Sequence, residues 1–281
     1  MQSTAKITKA MEMIAASKMR RAQQRVTASR PYAENLMAVL ADLTARLRDE
    51  DPDHVQPLLA VREPKRIGVI LFTPNRGLTG GLNSNTNRAA GTFALQQTSP
   101  TAFVAVGKKG RDYLNRFGRE VIAEFTTMPD FPSMADILPV AQIVRKEYEQ
   151  GTMDRVYLVY PRFVSTAIQR PQLQQLLPIQ PPPSEGTGAA SILGLEYVYE
   201  PDPATVLSGL LPRLVEMTIY HALLETVASE QSARMVAMHS ATDAAKDMIQ
   251  GLTLAYNKAR QETITKELLD LVGGVAALEN A

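Results

Sequence analysis

Between Leu207 and Ala259, sixteen positions step alternately by three and by four residues, and thirteen of them are apolar. His221, Gln231 and Thr242 are the three interruptions. A three-four alternation is a heptad stripe, and one sustained this long specifies a coiled-coil helix rather than a helix of a globular domain. Gly251 is the only glycine between Pro212 and Gly273, and no proline lies in that interval. At 1.5 Å per residue the helix reaches on the order of 100 Å. A compact domain is narrower than that, so most of the helix has to leave it.

The other end of the chain repeats the pattern over residues 1–48. Ile7, Met11, Ala15, Met19, Ala22, Val26, Ser29, Ala33, Leu36, Leu40, Leu43 and Leu47 form a second spaced series with one polar member. Pro31 removes one backbone hydrogen bond and predicts a bend near Thr27 without requiring a break. The pattern is already running at Lys6 with no N-cap before it, so helix is expected to continue upstream of Met1. A helix with one apolar stripe does not stand alone in water, and the two stripes are expected to pair as an antiparallel coiled coil. The C-terminal helix is longer, so its end should project bare.

Between the helices the period changes. Asp49–Pro64 carries three prolines and reads as a linker. Strands are expected at 65–72, 101–106, 120–125 and 154–161, alternating with helices at 83–97, 108–117 and 134–150. This alternation implies a largely parallel, doubly wound sheet. Residues 164–179 add an edge strand with outward glutamines, Gln180–Gly194 a Pro/Gly/Ser-rich loop, and Glu196–Glu200 a short strand. The predicted architecture is α/β: a long antiparallel coiled coil of an N-terminal helix (1–50) and a C-terminal helix (203–281). A doubly wound, Rossmann-like α/β domain (65–200) is inserted between them.

Composition removes several chemistries. The chain has 281 residues and a formal net charge of +1, which gives no whole-molecule attraction to nucleic acid or anionic lipid. It has no cysteine, hence no disulfide, thiolate metal site or cysteine nucleophile. His54, His221 and His239 lack metal-ligand spacing, so no metal site is expected. No apolar run approaches ~18 residues and no signal peptide precedes the first helix, so membrane contact is expected only through partners. No Ser/His/Asp set or paired carboxylates mark a catalytic centre. The turn Gly77-Leu78-Thr79-Gly80-Gly81 could present a helix N-terminus to an anion. It matches neither a Walker A loop nor GxGxxG, and a tight strand-to-helix turn is favoured, with no cofactor. Gly107-Lys108-Lys109-Gly110 is equally weak. A nucleotide-binding enzyme with a coiled-coil arm, and a free-standing scaffold, remain as rival readings.

Charge and apolar surface say more. Residues 1–30 hold seven basic residues against Glu12, a net +6, while residues 203–281 carry −3. Solvated helix faces that attract one another would account for this. The sharper reading is that Lys18, Arg20, Arg21 and Arg25 meet an acidic partner. Methionines such as Met11, Met19, Met217, Met235 and Met238 make the stripes thin and pliable. Beyond Ala259 the heptad phase is lost, and Ile264, Leu268, Leu271, Val275 and Leu278 begin a new series. The tail 271–278 is apolar enough to require a surrounding partner.

Four blocks carry a resemblance along the whole chain: Lys6–Gln23 (KITKAMEMIAASKMRRAQ), Arg76–Asn85 (RGLTGGLNSN), Ser229–Met238 (SEQSARMVAM) and Leu252–Ala277 (LTLAYNKARQETITKELLDLVGGVAA). In these blocks the chain resembles the gamma-subunit family of the F-type ATP synthases, of bacterial type. The resemblance implies a non-catalytic rotor: two helices forming a central stalk inside an alpha3beta3 ring, with the inserted domain beside the epsilon subunit and the c-ring. It implies ATP synthesis and hydrogen ion transport by rotation, regulation of ATPase activity and proton flow, and a peripheral place on the cytoplasmic side of the cell membrane. It places Lys18, Arg20 and Arg21 toward acidic beta segments, and Arg260, Gln261 and Thr265 against a beta loop. Leu268, Leu271, Val272, Val275 and Leu278 are then the tip in an apolar bearing. About a dozen further residues before the first block are implied as well. Pro74-Asn75 stands where the family commonly has Ser-Asp, and no cysteine-bearing regulatory insertion is present.

Overall fold

Two helices bracket the chain: α1, Gln2–Glu50, of 49 residues, and the last helix, Pro203–Glu279, of 77 residues. At 1.5 Å per residue the latter is about 115 Å long. The computed structural model describes residues 1–50, 56–180 and 199–279, the side chains at 29–30, 33–34, 45–50, 273 and 276–279 excepted. Between the helices lie β1 (Ile67–Phe72), α2 (Leu82–Gln96), β2 (Thr101–Val106), α3 (Lys108–Arg116) and β3 (Glu120–Phe125). Then follow α4 (Met134–Glu149), β4 (Arg155–Phe163) and β5 (Gln169–Leu177), which makes the last helix α5.

The five strands are ordered β3-β2-β1-β4-β5. The first four are parallel and β5 pairs antiparallel to β4 at the edge. All six residues of β1 are buried, as expected of a central strand covered on both faces. On one face Ala90 and Ala94 of α2 and Leu114 of α3 pack against Val69, Leu71 and Phe103. On the other, Ile70, Phe72 and Val104 share one cluster with Ile137 and Val144 of α4, Ile219 of α5 and Leu40 of α1. The core therefore runs without interruption from the sheet into both long helices.

α1 and α5 lie side by side and antiparallel. Leu36, Leu40 and Leu43 share a cluster with Leu207, Leu211 and Leu214, and Ala22 and Val26 pack with Leu224 and Ala228. Near the start of α1, the Thr8 and Thr242 hydroxyls meet at 2.7 Å. α1 runs through Pro31 as continuous helix.

The structure corrects the stripe on α5. Leu210 and Met217 are only half-buried, whereas Leu211, Val215, Ile219, Ala222 and Leu223, outside the series, are buried. This half of α5 has the sheet and α4 on one side and α1 on another, so it needs a wide apolar face rather than a narrow seam. Burial along the heptads stops level with the first residues of α1. Among the described residues Ala245 is the last buried one of α5, and Leu252 and Tyr256 are 60% and 67% exposed. Ile7, at the start of the α1 series, is exposed as well.

β2 and β3 have the limits expected from sequence, and β4 runs two residues further, to Phe163. The loop expected at 180–194 falls, apart from Gln180, outside the described residues, as do 51–55 of the linker. Of the strand expected at 196–200, only Tyr199 and Glu200 are described, and they are not strand. The Tyr199 hydroxyl instead donates to Asp42 of α1 at 2.6 Å.

Candidate functional site

The carboxyl edge of the sheet gathers the turns that follow β1, β2, β3 and β4. In open α/β sheets this edge, beside the strand where the winding reverses, is where ligands bind. Here the middle of α5 lies along it. The β1 and β2 turns approach closely enough to explain the two glycines after β2, Gly107 and Gly110. Gly107 sits at φ +105, and a Cβ there would stand 1.8 Å from the Thr73 carbonyl oxygen. Thr73 in turn accepts the Gly110 N–H at 2.7 Å. Two residues before Gly80, Leu78 holds φ +63 with its side chain exposed. A cleft of about 340 Å³ beside the start of α2 is bounded by Thr79, Asn85, Gln169, Ala233 and Val236, and none of its lining side chains is charged. A Cβ at Gly77 or Gly80 would meet nothing within 4 Å, so this turn uses the positive φ of Gly80 rather than a close approach of backbone.

Three of these turns are tied to the long helices by directional bonds. At the β4–β5 turn, Ser229 Oγ donates to the Pro161 carbonyl at 2.8 Å and Ser232 Oγ to that of Thr166 at 2.7 Å. The Phe163 N–H donates to Glu225 Oε2 at 2.8 Å. Glu225, Ser229 and Ser232 follow helical spacing down one face of α5 and are 3%, 0% and 0% exposed. Burial, and behind it the Glu225 charge, pushes the Tyr160 phenol beside them up to about 12.

The β3–α4 turn meets the basic face of α1. Lys18 Nζ donates to Asp130 at 2.5 Å, and Arg25 and the Tyr220 hydroxyl both donate to the Pro132 carbonyl at 3.3 Å. The Arg25 and Arg21 guanidiniums stand 5.3 and 5.9 Å from the Phe131 ring centre, within cation–π range. The Lys18 bond, aided by the charges of Lys18, Arg76 and Arg234, holds the Asp130 carboxyl below its ordinary range against the opposing effect of burial. At the β1–α2 turn, Arg234 donates to the Gly77 carbonyl at 3.4 Å and pairs with Glu230 at 2.7 Å. Burial raises the Glu230 carboxyl, and Arg234 only partly offsets it.

The residues expected to meet partners fall into two groups. Lys18 and Arg21 are turned toward the chain's own β3–α4 turn, while Arg20 is exposed on a groove along α1 beside Phe163 and Val164. Arg260, Gln261 and Thr265 all lie on the bare half of α5, where Thr265 Oγ1 donates to the Gln261 carbonyl at 2.9 Å. Leu268, Leu271, Val272 and Val275 are 56–67% exposed, and the Leu278 side chain lies outside the described residues. The two groups are not brought together. By the antiparallel register Lys18 lies level with about Ser232, roughly 40 Å along the helix from Arg260. Asp130, Glu225, Ser229 and Ser232 were not singled out by sequence. Ser229 and Ser232 had one signal, the polar block SEQSARM on an otherwise largely apolar helix, whereas Asp130 and Glu225 had none.

Among known proteins, a family model described as ATP synthase matches residues 1–278. The ATP synthase gamma chain of Dehalococcoides mccartyi strain CBDB1 is 51% identical over 280 residues, covering 99% of this chain and 95% of that one. The ATP synthase gamma chain of Roseiflexus castenholzii is 46% identical over 285 residues, covering 99% and 94%. A chain in the central stalk and c-ring structure of the Tetrahymena thermophila mitochondrial ATP synthase aligns at a TM-score of 0.64. It is 26% identical, with 84% of this chain and 99% of that one covered.

Proposed function

The chain belongs to the ATP synthase gamma-chain family, and from that premise we propose that it is the central-stalk rotor subunit of an F1Fo ATP synthase. In this reading it couples proton-driven rotation of the membrane ring to conformational cycling of the catalytic beta subunits, and it regulates ATPase activity and proton flow. The subunit itself is non-catalytic. The observation that carries the reading is the bare half of α5. Residues 250–272 are continuous helix, and nearly all of them are exposed, with Leu252, Leu254, Leu268, Leu269 and Leu271 among them. An apolar helix of that length standing in water calls for a housing.

The finer assignments follow the same reading. Residues 1–50 and 203–281 form an antiparallel coiled coil, and residues 65–200 form the inserted, doubly wound, Rossmann-like domain toward the epsilon subunit and the c-ring. Arg260, Gln261 and Thr265 bear on a beta loop, and Leu268, Leu271, Val272, Val275 and Leu278 turn in an apolar bearing of the alpha3beta3 ring. Arg20 is the member of the basic block best disposed toward acidic beta segments, because it is exposed while Lys18 and Arg21 already have partners. The complex sits on the cytoplasmic side of the cell membrane. No helix among the described residues is long and apolar enough to cross a membrane, so the chain reaches it through partners.

The work is mechanical. A rotating shaft shifts the population of beta conformations only if each orientation contacts them differently, and an α5 with charged, polar and apolar sectors offers such differences. Reconstitution with alpha and beta subunits tests the reading: a stable complex with ATP synthesis in coupled vesicles supports it. Failure to assemble, together with micromolar binding of ATP or NAD at the Gly77–Gly81 turn, would replace it with the enzyme reading.

A further inference from the structure

We infer that Glu225, Ser229 and Ser232 are the torque-bearing joint between the sheet and the shaft, an inference that rests on the rotor reading above. A rotor driven at its foot must pass force from the α/β unit into α1 and α5. Most of what joins them is apolar packing, which is dense but non-directional and fixes no atom-to-atom register by bonds. Hydrogen bonds weaken steeply when bent, so they resist displacement across their own direction. Along α5 such bonds to the sheet are concentrated in one segment, opposite the β4–β5 turn. There a carboxylate and two hydroxyls, all nearly fully buried, engage the backbone of Phe163, Pro161 and Thr166.

Polar side chains in a core are unfavourable unless satisfied, and apolar residues would pack these positions at least as well. What the polar set adds is a fixed register. Ser229 and Ser232 grip the turn on both sides of Phe163, while Glu225 holds Phe163 itself. The Lys18–Asp130 pair and the Arg25 bond to Pro132 lie on the opposite helix and are partly exposed, so they steady the unit without carrying the load.

The test uses the complete reconstituted complex and reads proton pumping per ATP hydrolysed, with complex yield and thermal unfolding alongside. The joint predicts that Glu225→Gln with Ser229→Ala and Ser232→Ala leaves yield and ATP hydrolysis near wild type. Pumping per ATP should fall by about two- to thirtyfold. Ser240→Ala, on an exposed face of the same helix, should change nothing. Unchanged pumping per ATP in the triple variant overturns the joint. Because the chain has no cysteine, a Thr166→Cys/Ser232→Cys pair can be closed by oxidation as a second arm. Coupling retained after closure supports a rigid joint, and coupling lost overturns it, even if the triple variant fails to assemble. Failure of the rotor reading is distinct, because the wild-type chain would then form no coupled complex.

Discussion

One heptad pattern runs along α5 as far as Ala259 and meets opposite surroundings on the way. Between Leu207 and Ala245 the buried face is wider than the stripe, taking in Leu211, Val215 and Ile219, whereas Leu252 and Tyr256, which continue the stripe, stand in solvent. Apolar periodicity thus specifies a surface to be covered without naming what covers it. In the first half the cover is the sheet, α4 and α1, and in the second none of the described residues supplies it.

The largest effect should separate the halves outright. Ile219→Ala, at a fully buried position, is expected to cost about 2–5 kcal/mol in urea unfolding of the isolated chain. Leu252→Ala or Leu271→Ala should stay within about 0.5 kcal/mol. A large loss at Leu252 would show that the bare half is covered within the chain itself. Deleting residues 271–281 sharpens the contrast. Unfolding of the α/β unit should be unchanged, while complex yield and ATP synthesis fall; unaltered yield and synthesis would remove the bearing role from the tip.

Thr242 lies opposite Thr8 near the start of α1, and Thr242→Val should cost about 1 kcal/mol by losing that bond. An effect near zero in a thermal melt would mean that the helices already part there. Two carboxylates give opposite pH signatures. The Glu230 pKa is raised in the folded chain, so its contribution is full below its unfolded pKa and is lost as pH rises through the folded one. Glu230→Gln should therefore flatten the decline in stability above roughly pH 4.5. Asp130 is lowered, so its contribution is lost as pH falls through its folded pKa, and Asp130→Asn should blunt acid sensitivity. Melting temperatures across pH check both signs. The smallest effect belongs to Lys18→Ala, within about 1 kcal/mol for a partly exposed ion pair, read by the same melts.

The elements were legible because their signals are local. Thr101–Val106 and Glu120–Phe125 are bounded by turn residues and show the limits read from them. The unequal lengths of the two long helices and the bare end followed from counting apolar positions. What could not be read is what depends on the fold. Val215 and Leu223 look like off-stripe residues until the sheet is placed beside them. Asp130 lies 112 residues from Lys18, and nothing local links the two. Ser229 and Ser232 lie in a block that carries the resemblance, but the carbonyls of Pro161 and Thr166 that accept their hydroxyl protons are more than 60 residues away in sequence.

Where α5 leaves the sheet and α4, the rod loses its bracing and thins. Resistance to twisting rises steeply with thickness, so strain applied at the two ends does not spread evenly. The segment beyond the sheet yields first, as the soft spring of an otherwise stiff axle. Gly251, with open space around its Cα, lies within that segment.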